Sequence, residues 1–104
     1  MVDYEVVARE GERVVLQLRG ELAATLQTDA LREALEDHYV DDGVRLIEVD
    51  IAPLRFLDSY GVATLVALQK ESRHRGKRFL VGGAQGQVRE KLRVTGVLRI
   101  LEKG

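Results

Sequence analysis

The sequence predicts an α/β fold: a two-layer sandwich with one mixed sheet, helices mainly on one face, and the order β-β-α-β-α-β-α followed by a closing segment. Two observations carry this expectation. The hydrophobic period switches along the chain between 2 and about 3.6, as it does where strands alternate with helices. Glycines at positions 11, 20, 43, 61, 76, 82, 83, 86 and 96 punctuate the segments between switches. A third observation sets the scale: 104 residues, 45% of them hydrophobic, suit one core, so a single domain over residues 1–104 is expected. A chain of this size buries roughly two-thirds of its unfolded surface and needs no metal or disulfide staple.

The elements follow in order. Val2 to Ala8 and Arg13 to Arg19 flank Glu10-Gly11-Glu12 and read as a hairpin. In the second strand Val14, Leu16 and Leu18 alternate with Arg13, Val15, Gln17 and Arg19, the pattern of a half-buried strand. From Leu26 to Tyr39 the period becomes helical, with Leu26, Ala30, Leu31, Ala34, Leu35 and Tyr39 on the apolar face. Thr25 or Thr28 is placed to cap this helix, and Asp41-Asp42-Gly43 to stop it. Arg45 to Asp50 reads as the next strand, with Leu46, Ile47 and Val49 to bury, and Pro53 falls in the following loop. Asp58-Ser59 precedes a helix running to His74 or Arg75, its buried residues Val62, Leu65, Val66 and Leu68, with Gly76 fitting the position just past its end. Phe79-Leu80-Val81 is a short strand. Gly82-Gly83-Ala84 turns into a third helix with Val88 and Leu92 inward and Gly96 at its stop, and Val97 to Leu101 closes the chain as a short strand or final turn. Alternation of this kind gives parallel strand pairs with right-handed crossovers.

Composition narrows the function. There is no cysteine, which excludes a disulfide framework and thiolate chemistry. The longest strongly apolar stretch, Val62 to Leu68, is far short of the ~20 residues a bilayer takes. The opening Met-Val-Asp-Tyr-Glu-Val-Val lacks the basic segment and apolar run of a secretory signal, so a cytoplasmic protein without membrane contact is expected. The net charge of -1 hides 13 acids against 5 bases in residues 1–50 and 4 acids against 11 bases in residues 51–104. In the predicted fold, however, Asp37, Asp41 and Asp42 share one end of the sheet with Lys70, Arg73, Arg75, Lys77 and Arg78. The two runs should therefore neighbour each other, and with few aromatics for stacking no direct nucleic-acid contact is expected.

Catalytic constellations are missing. Ser59 and His74 bracket one predicted helix and lie roughly 22 Å apart, where a nucleophile and its base must be ~3 Å apart. His38 sits at the wrong end of the sheet. Two distant histidines without cysteine make no zinc site. The turn Gly82-Gly83-Ala84-Gln85-Gly86 could cradle a phosphate but matches no nucleotide-binding pattern, and a tight strand-to-helix turn is the preferred reading. No enzyme activity, cofactor or metal is expected.

The informative segment is Phe56-Leu57-Asp58-Ser59-Tyr60-Gly61-Val62. An apolar pair enters the core and a polar pair begins a helix. Asp58 is a natural N-cap. Ser59 then lies in the first turn, at the rim where backbone N–H groups are unpaired, and Gly61 would keep that rim low for an approaching protein. Local pattern alone leaves two readings of Ser59 open, an auxiliary cap or a presented hydroxyl.

From Tyr4 to Leu101 the chain resembles a STAS domain of the bacterial anti-sigma-factor antagonist family. The likeness is carried by Leu18-Arg19-Gly20-Glu21-Leu22, by Val49-Asp50 through Pro53-Leu54 with Phe56-Leu57-Asp58-Ser59-Tyr60-Gly61, by Leu65-Val66-Ala67-Leu68 through Arg75-Gly76-Lys77, and by Val88-Arg89 through Leu92 with Val94-Thr95-Gly96-Val97. The resemblance implies a STAS-like sandwich and a partner switch. The serine after the aspartate, here Ser59, is the phosphoacceptor of an anti-sigma-factor serine kinase. The unphosphorylated protein binds that kinase and frees a sigma factor, and a serine phosphatase resets it. Gly20, Glu21, Leu22, Ala23, Asp58, Ser59, Tyr60 and Gly61 would form the partner-binding surface. Two positions depart from the family pattern: Tyr60 stands where a small hydroxyl residue is usual, and Ala23 where an acid is usual. The alternative role is a STAS scaffold or regulatory subunit of a signalling or transport complex, never phosphorylated. The sheet edges leave monomer or weak dimer as the expected state.

Overall fold

The structure is a computed structural model and describes residues 2–104. The hairpin forms as the sequence predicts. Strand β1 (Val2–Glu10) pairs antiparallel with β2 (Arg13–Leu22) through a turn in which Gly11 takes φ 57°, with a bulge between Val6 and Ala8. Helix α1 (Thr28–Tyr39) leads to β3 (Leu46–Asp50), which pairs parallel with the first half of β2. Strand β4 (Leu54–Leu57) follows, then the long helix α2 (Ser59–His74), strand β5 (Arg78–Gly82) parallel to β3, helix α3 (Gly86–Val94) and helix α4 (Leu98–Lys103). The sheet runs β1-β2-β3-β5, and β4 pairs parallel with the end of β2, where β3 has already left it.

Strand alternation divides the sheet into two faces. Val14, Leu16 and Leu18 of β2, Ile47 and Val49 of β3, and Phe79 and Val81 of β5 pack into one core with Leu31, Leu35, Val62, Leu65, Leu68, Val88, Leu92 and Leu101 from the four helices. The other face carries polar side chains around Val15 and Leu80. There Arg13 Nε donates to Glu48 at 2.8 Å, Gln17 Nε2 to Asp50 at 3.1 Å, and Arg19 Nη1 to Glu5 at 2.9 Å. This is the predicted two-layer arrangement with the helices over one face.

Several expectations change. The apolar Phe56-Leu57 pair splits: Leu57 is buried, while Phe56 is 41% exposed. The pair belongs to a strand, β4, that a four-residue segment without alternation did not announce. The closing segment is a helix, because Leu98 and Leu101, one turn apart, both reach the core. Helix α1 starts at Thr28, leaving Leu26 outside it and 55% exposed. Neither Thr25 nor Thr28 caps that helix. Its N-cap is Gln27, whose side chain makes no capping bond. Ala30 is exposed, and Val66 and Leu46 are only half-buried.

The stop signals work as predicted. Gly76 and Gly96 take φ 77° and 80° just past α2 and α3, and Lys77 N and Val97 N reach back to Ser72 O and Leu92 O. The acidic and basic runs do meet. Arg75 pairs with Glu36 at 2.9 Å, and the buried Lys77 donates from Nζ to the carbonyls of Asp41 and Val44 at 2.8 and 2.7 Å. Inside the helical layer, Tyr39 Oη and Ser72 Oγ bond at 2.9 Å, and Gln69 Nε2 donates to Phe79 O and Ile100 O, tying α2 to β5 and α4.

Candidate functional site

Two strand ends build the site. In the β2–β4 register Gly20 faces Leu54, Glu21 faces Phe56 and Leu22 faces Leu57. Both strands therefore release the chain at one edge, and the predicted residues 20–23 and 58–61 come together there. They do so because two apolar residues, Leu22 and Leu57, are drawn side by side into the core.

Asp58 organises the edge. Its backbone is extended and its side chain caps α2, with Oδ1 accepting from Gly61 N at 3.1 Å. Oδ2 accepts from Ala24 N at 2.9 Å, across to the segment after β2. These bonds favour the ionised form. The Ala24 amide, with those of Gly61 and Tyr60, holds the carboxyl below the usual aspartate range against the opposing effect of desolvation. Ala24 has φ 73°, the one positive φ at a non-glycine residue among those described. For an alanine that conformation is strained by ~1–2 kcal/mol.

A second bond fixes the same segment. Gln27 N donates to Thr64 Oγ1 at 3.1 Å, and that hydroxyl donates to Tyr60 O at 2.9 Å, so Thr64 satisfies polar groups although fully buried. Thr64 interrupts an otherwise apolar run, Val62-Ala63-Thr64-Leu65-Val66, and that interruption is the sequence signal that marks it.

Ser59, the first residue of α2, is exposed, as is its neighbour Tyr60 at 52%. Asp58 does the capping, and Ser59 lies exposed beside it at the start of α2. Glu21 is exposed and Ala23 half-buried beside them. Leu22 is fully buried and Gly61 is buried. Gly61 does not act by keeping the rim low. A Cβ there would lie 2.1 Å from Leu22 O and 2.9 Å from Leu57 Cβ, so the missing side chain lets α2 seat against the strand ends. Phe56, expected to enter the core as part of an apolar pair, and Leu26, placed on the apolar face of α1 by its helical spacing, are both exposed.

The other candidates resolve into structure. Ser59 and His74 are the first and last residues of α2. No group of three or more His, Cys, Asp or Glu among the described residues could hold a metal ion. Gly83, φ 82°, packs its turn on the β3 end: a Cβ would lie 2.7 Å from Asp50 Oδ1 and 3.1 Å from Ala52 N. Gln85 Nε2 then donates to Ala52 O at 3.0 Å. A depression on the open sheet face, lined by Arg13, Glu48, Asp50, Gly83 and Glu102, has its polar side chains already bonded to Glu48, Arg13, Gln17 and Arg89. No helix among the described residues is long and apolar enough to cross a membrane.

A protein-family model described as Mlab, STAS domain matches residues 5–102. An anti-sigma-B factor antagonist of Listeria monocytogenes is 24% identical over 101 residues, covering 97% of this chain and 87% of that protein. Among solved structures, an anti-sigma factor antagonist from Mycobacterium paratuberculosis gives a TM-score of 0.74 at 24% identity, covering 97% of this chain and 83% of that one. The murine Slc26a9 anion transporter gives 0.73 at 14% identity over 88% of this chain, which spans 15% of the transporter's length. The mixed sheet with its helical layer is the fold these structures share.

Proposed function

The chain belongs to the STAS domain family, and from that premise we propose that it is an anti-sigma-factor antagonist acting by partner switching. It is a binding protein without catalysis of its own. Unphosphorylated, it docks on an anti-sigma-factor serine kinase through the edge built by residues 20–23 and 58–61. Phosphorylation of Ser59 releases it, and a serine phosphatase restores it. It works in the cytoplasm, makes no direct contact with nucleic acid, and folds as one domain.

The observation that carries this reading is the placement of Ser59: exposed, at the first position of α2, directly after a cap supplied by another residue. The physics of a switch follows from it. A phosphoserine brings about -1.5 to -2 charges at pH 7. The N-terminus of a helix tolerates that charge, so the fold stays as it is. The docked partner does not tolerate it. An interface fitted to a neutral hydroxyl would have to desolvate a dianion beside the Asp58 and Glu21 carboxylates, a loss of several kcal/mol.

The test is intact-protein mass spectrometry of the chain from its own cells, with the site mapped to Ser59. Binding of Ser59→Ala and Ser59→Asp to the cognate kinase completes it. The alanine variant should bind and the aspartate variant should not, and equal affinities would refute the switch.

A second reading has its own support. The fold matches in transporters, Slc26a9 and the STAS domain of a Vibrio cholerae SulP transporter at TM-score 0.66, favour a STAS subunit of a transport assembly that is never phosphorylated. Tyr60 and Ala23, the departures from the antagonist pattern, favour it too. A serine kinase or sigma factor in the neighbouring genes selects the switch, and a transporter operon selects the scaffold.

A further inference from the structure

The exposed charges of α1 and α4 sort by sign once their ion pairs are set aside. On α1, Arg32 pairs with Asp29 and Glu36 with Arg75. Glu33 and Asp37 are left, both exposed, one turn apart and without a partner among the described residues. Val40, the C-cap of the same helix, continues their line and is 64% exposed. On α4, Glu102 pairs with Arg89 of α3. Arg99 and Lys103 are left, again exposed, one turn apart and unpaired among the described residues, with Ile100 between them at 53% exposure. Arg73 of α2 lines the same shallow depression and adds a third cation. Like charges one turn apart weaken a helix, so neither pair is explained by the helix that carries it. Helix α2 stands between the two stripes: Ser72 bonds Tyr39 of α1 on one side, and Gln69 bonds Ile100 O of α4 on the other. No ion pair joins them within one molecule.

We propose that the chain associates head-to-tail with a second copy of itself, the acidic stripe Glu33-Asp37-Val40 of one molecule seated on the basic stripe Arg99-Ile100-Lys103 of the next. The two stripes are opposite in sign and matched in spacing. Four residues at 1.5 Å rise set each like-charged pair ~6 Å apart along its helix, so two ion pairs form together. Val40 and Ile100 supply apolar cover beside them. Exposed ion pairs are individually weak, so the association is weak and strengthens as salt falls. A contact between two different surfaces leaves one stripe free at each end, which a further copy or a closed ring fills. The contact runs beside the C-terminal half of α2, where Tyr39 meets Ser72 and Ile100 meets Gln69. Ser59 begins the other end of that helix, so the self-contact is independent of the proposed switch.

The experiment is sedimentation velocity on the full chain, at rising protein concentration and at low and high salt. The parent protein should sediment faster as concentration rises at low salt, and high salt should abolish the effect. Two charge reversals then identify the surfaces. Glu33→Lys with Asp37→Lys makes both stripes basic, and Arg99→Glu with Lys103→Glu makes both acidic. Each double variant alone should stay monomeric, and an equimolar mixture of the two should recover association to at least the level of the parent. Circular dichroism and urea midpoints confirm that both fold. A second measurement needs no variant. Carbodiimide coupling on a mixture of isotope-labelled and unlabelled parent chains should join Lys103 to Glu33 or Asp37 in mixed-isotope pairs, at least fivefold above coupling of Lys103 to any other carboxylate of a second copy. A parent that stays monomeric at low salt overturns the proposal, as does association that survives either reversal or a mixture that fails to recover it. A parent that stays monomeric yet binds a soluble polyanion through Arg99 and Lys103 assigns the basic stripe to a different occupant and also overturns the self-contact.

Discussion

Replacing Gly61 with alanine separates local preference from tertiary fit. Gly61 lies in the first turn of α2, where alanine is the better helix former by up to ~1 kcal/mol. Helix propensity alone therefore predicts a stabilised variant. The tertiary structure predicts the reverse. The added Cβ would stand 2.1 Å from the Leu22 carbonyl oxygen and 2.9 Å from Leu57 Cβ. Restoring ordinary contact needs a shift of roughly 1 Å or more between α2 and the strand ends. Neither neighbour yields easily, since one is backbone and the other belongs to a residue 3% exposed. Overpacking of this kind costs ~1–3 kcal/mol. The same shift strains the Asp58 N to Leu22 O bond at 3.4 Å. The net expectation is a loss of about 2 kcal/mol. With a urea slope of ~1–2 kcal/mol per molar for a small domain, the unfolding midpoint should fall by about 1–2 M. The control is Ala63→Gly, two residues on and exposed, which should cost only ~0.5–1 kcal/mol. A Gly61→Ala midpoint at or above that of the parent protein would show that α2 does not seat against β2 and β4 as described.

Three further outcomes follow from the same geometry. Ala24→Gly should raise stability by about 0.5 kcal/mol in urea unfolding, since relief of ~1–2 kcal/mol of left-handed strain outweighs the ~0.5–1 kcal/mol of extra entropy glycine loses. Ser72→Ala should cost about 1–2 kcal/mol, because it leaves the buried Tyr39 hydroxyl without its 2.9 Å partner, and Tyr39→Phe combined with it should recover part of that loss. The acid limb of the stability profile should depend on Asp58. Its carboxyl titrates lower in the folded protein than in the unfolded chain, chiefly through the Ala24 amide, so the unfolded state takes up the proton first. That contribution is complete above the unfolded value near ~4 and disappears as pH falls through the lower folded value. Urea midpoints measured from pH 6 down to pH 2.5 should fall less steeply for Asp58→Asn than for the parent protein, and parallel profiles would count against the assignment.

Features written in neighbouring residues were legible from the sequence. The hairpin follows from two strand-period runs around a glycine, the Asp58 cap from a polar residue at the start of a helical period, and the ends of α2 and α3 from Gly76 and Gly96. The charge reading also held, because opposite runs placed at one end of a sheet must pair, as Arg75 and Glu36 do. Features owed to distant residues were not legible. Strand β4 is four residues long and alternates nowhere, its burial running inside, outside, outside, inside. It is a strand only because the end of β2 offers it a partner after β3 has turned away. Leu26 sits on the helical spacing of α1 and Phe56 in an apolar pair, yet they are 55% and 41% exposed.

The sequence by itself determined the alternation of strands and helices, the cap that begins α2 and the hydroxyl that follows it, since each depends on period, capping chemistry and residues within one turn. Only the tertiary structure decided how that hydroxyl is framed. The left-handed Ala24, the buried Thr64 between two backbones and the absent side chain of Gly61 each answer to an atom more than thirty residues away in the chain. Such contacts are fixed by close packing, which no local pattern encodes.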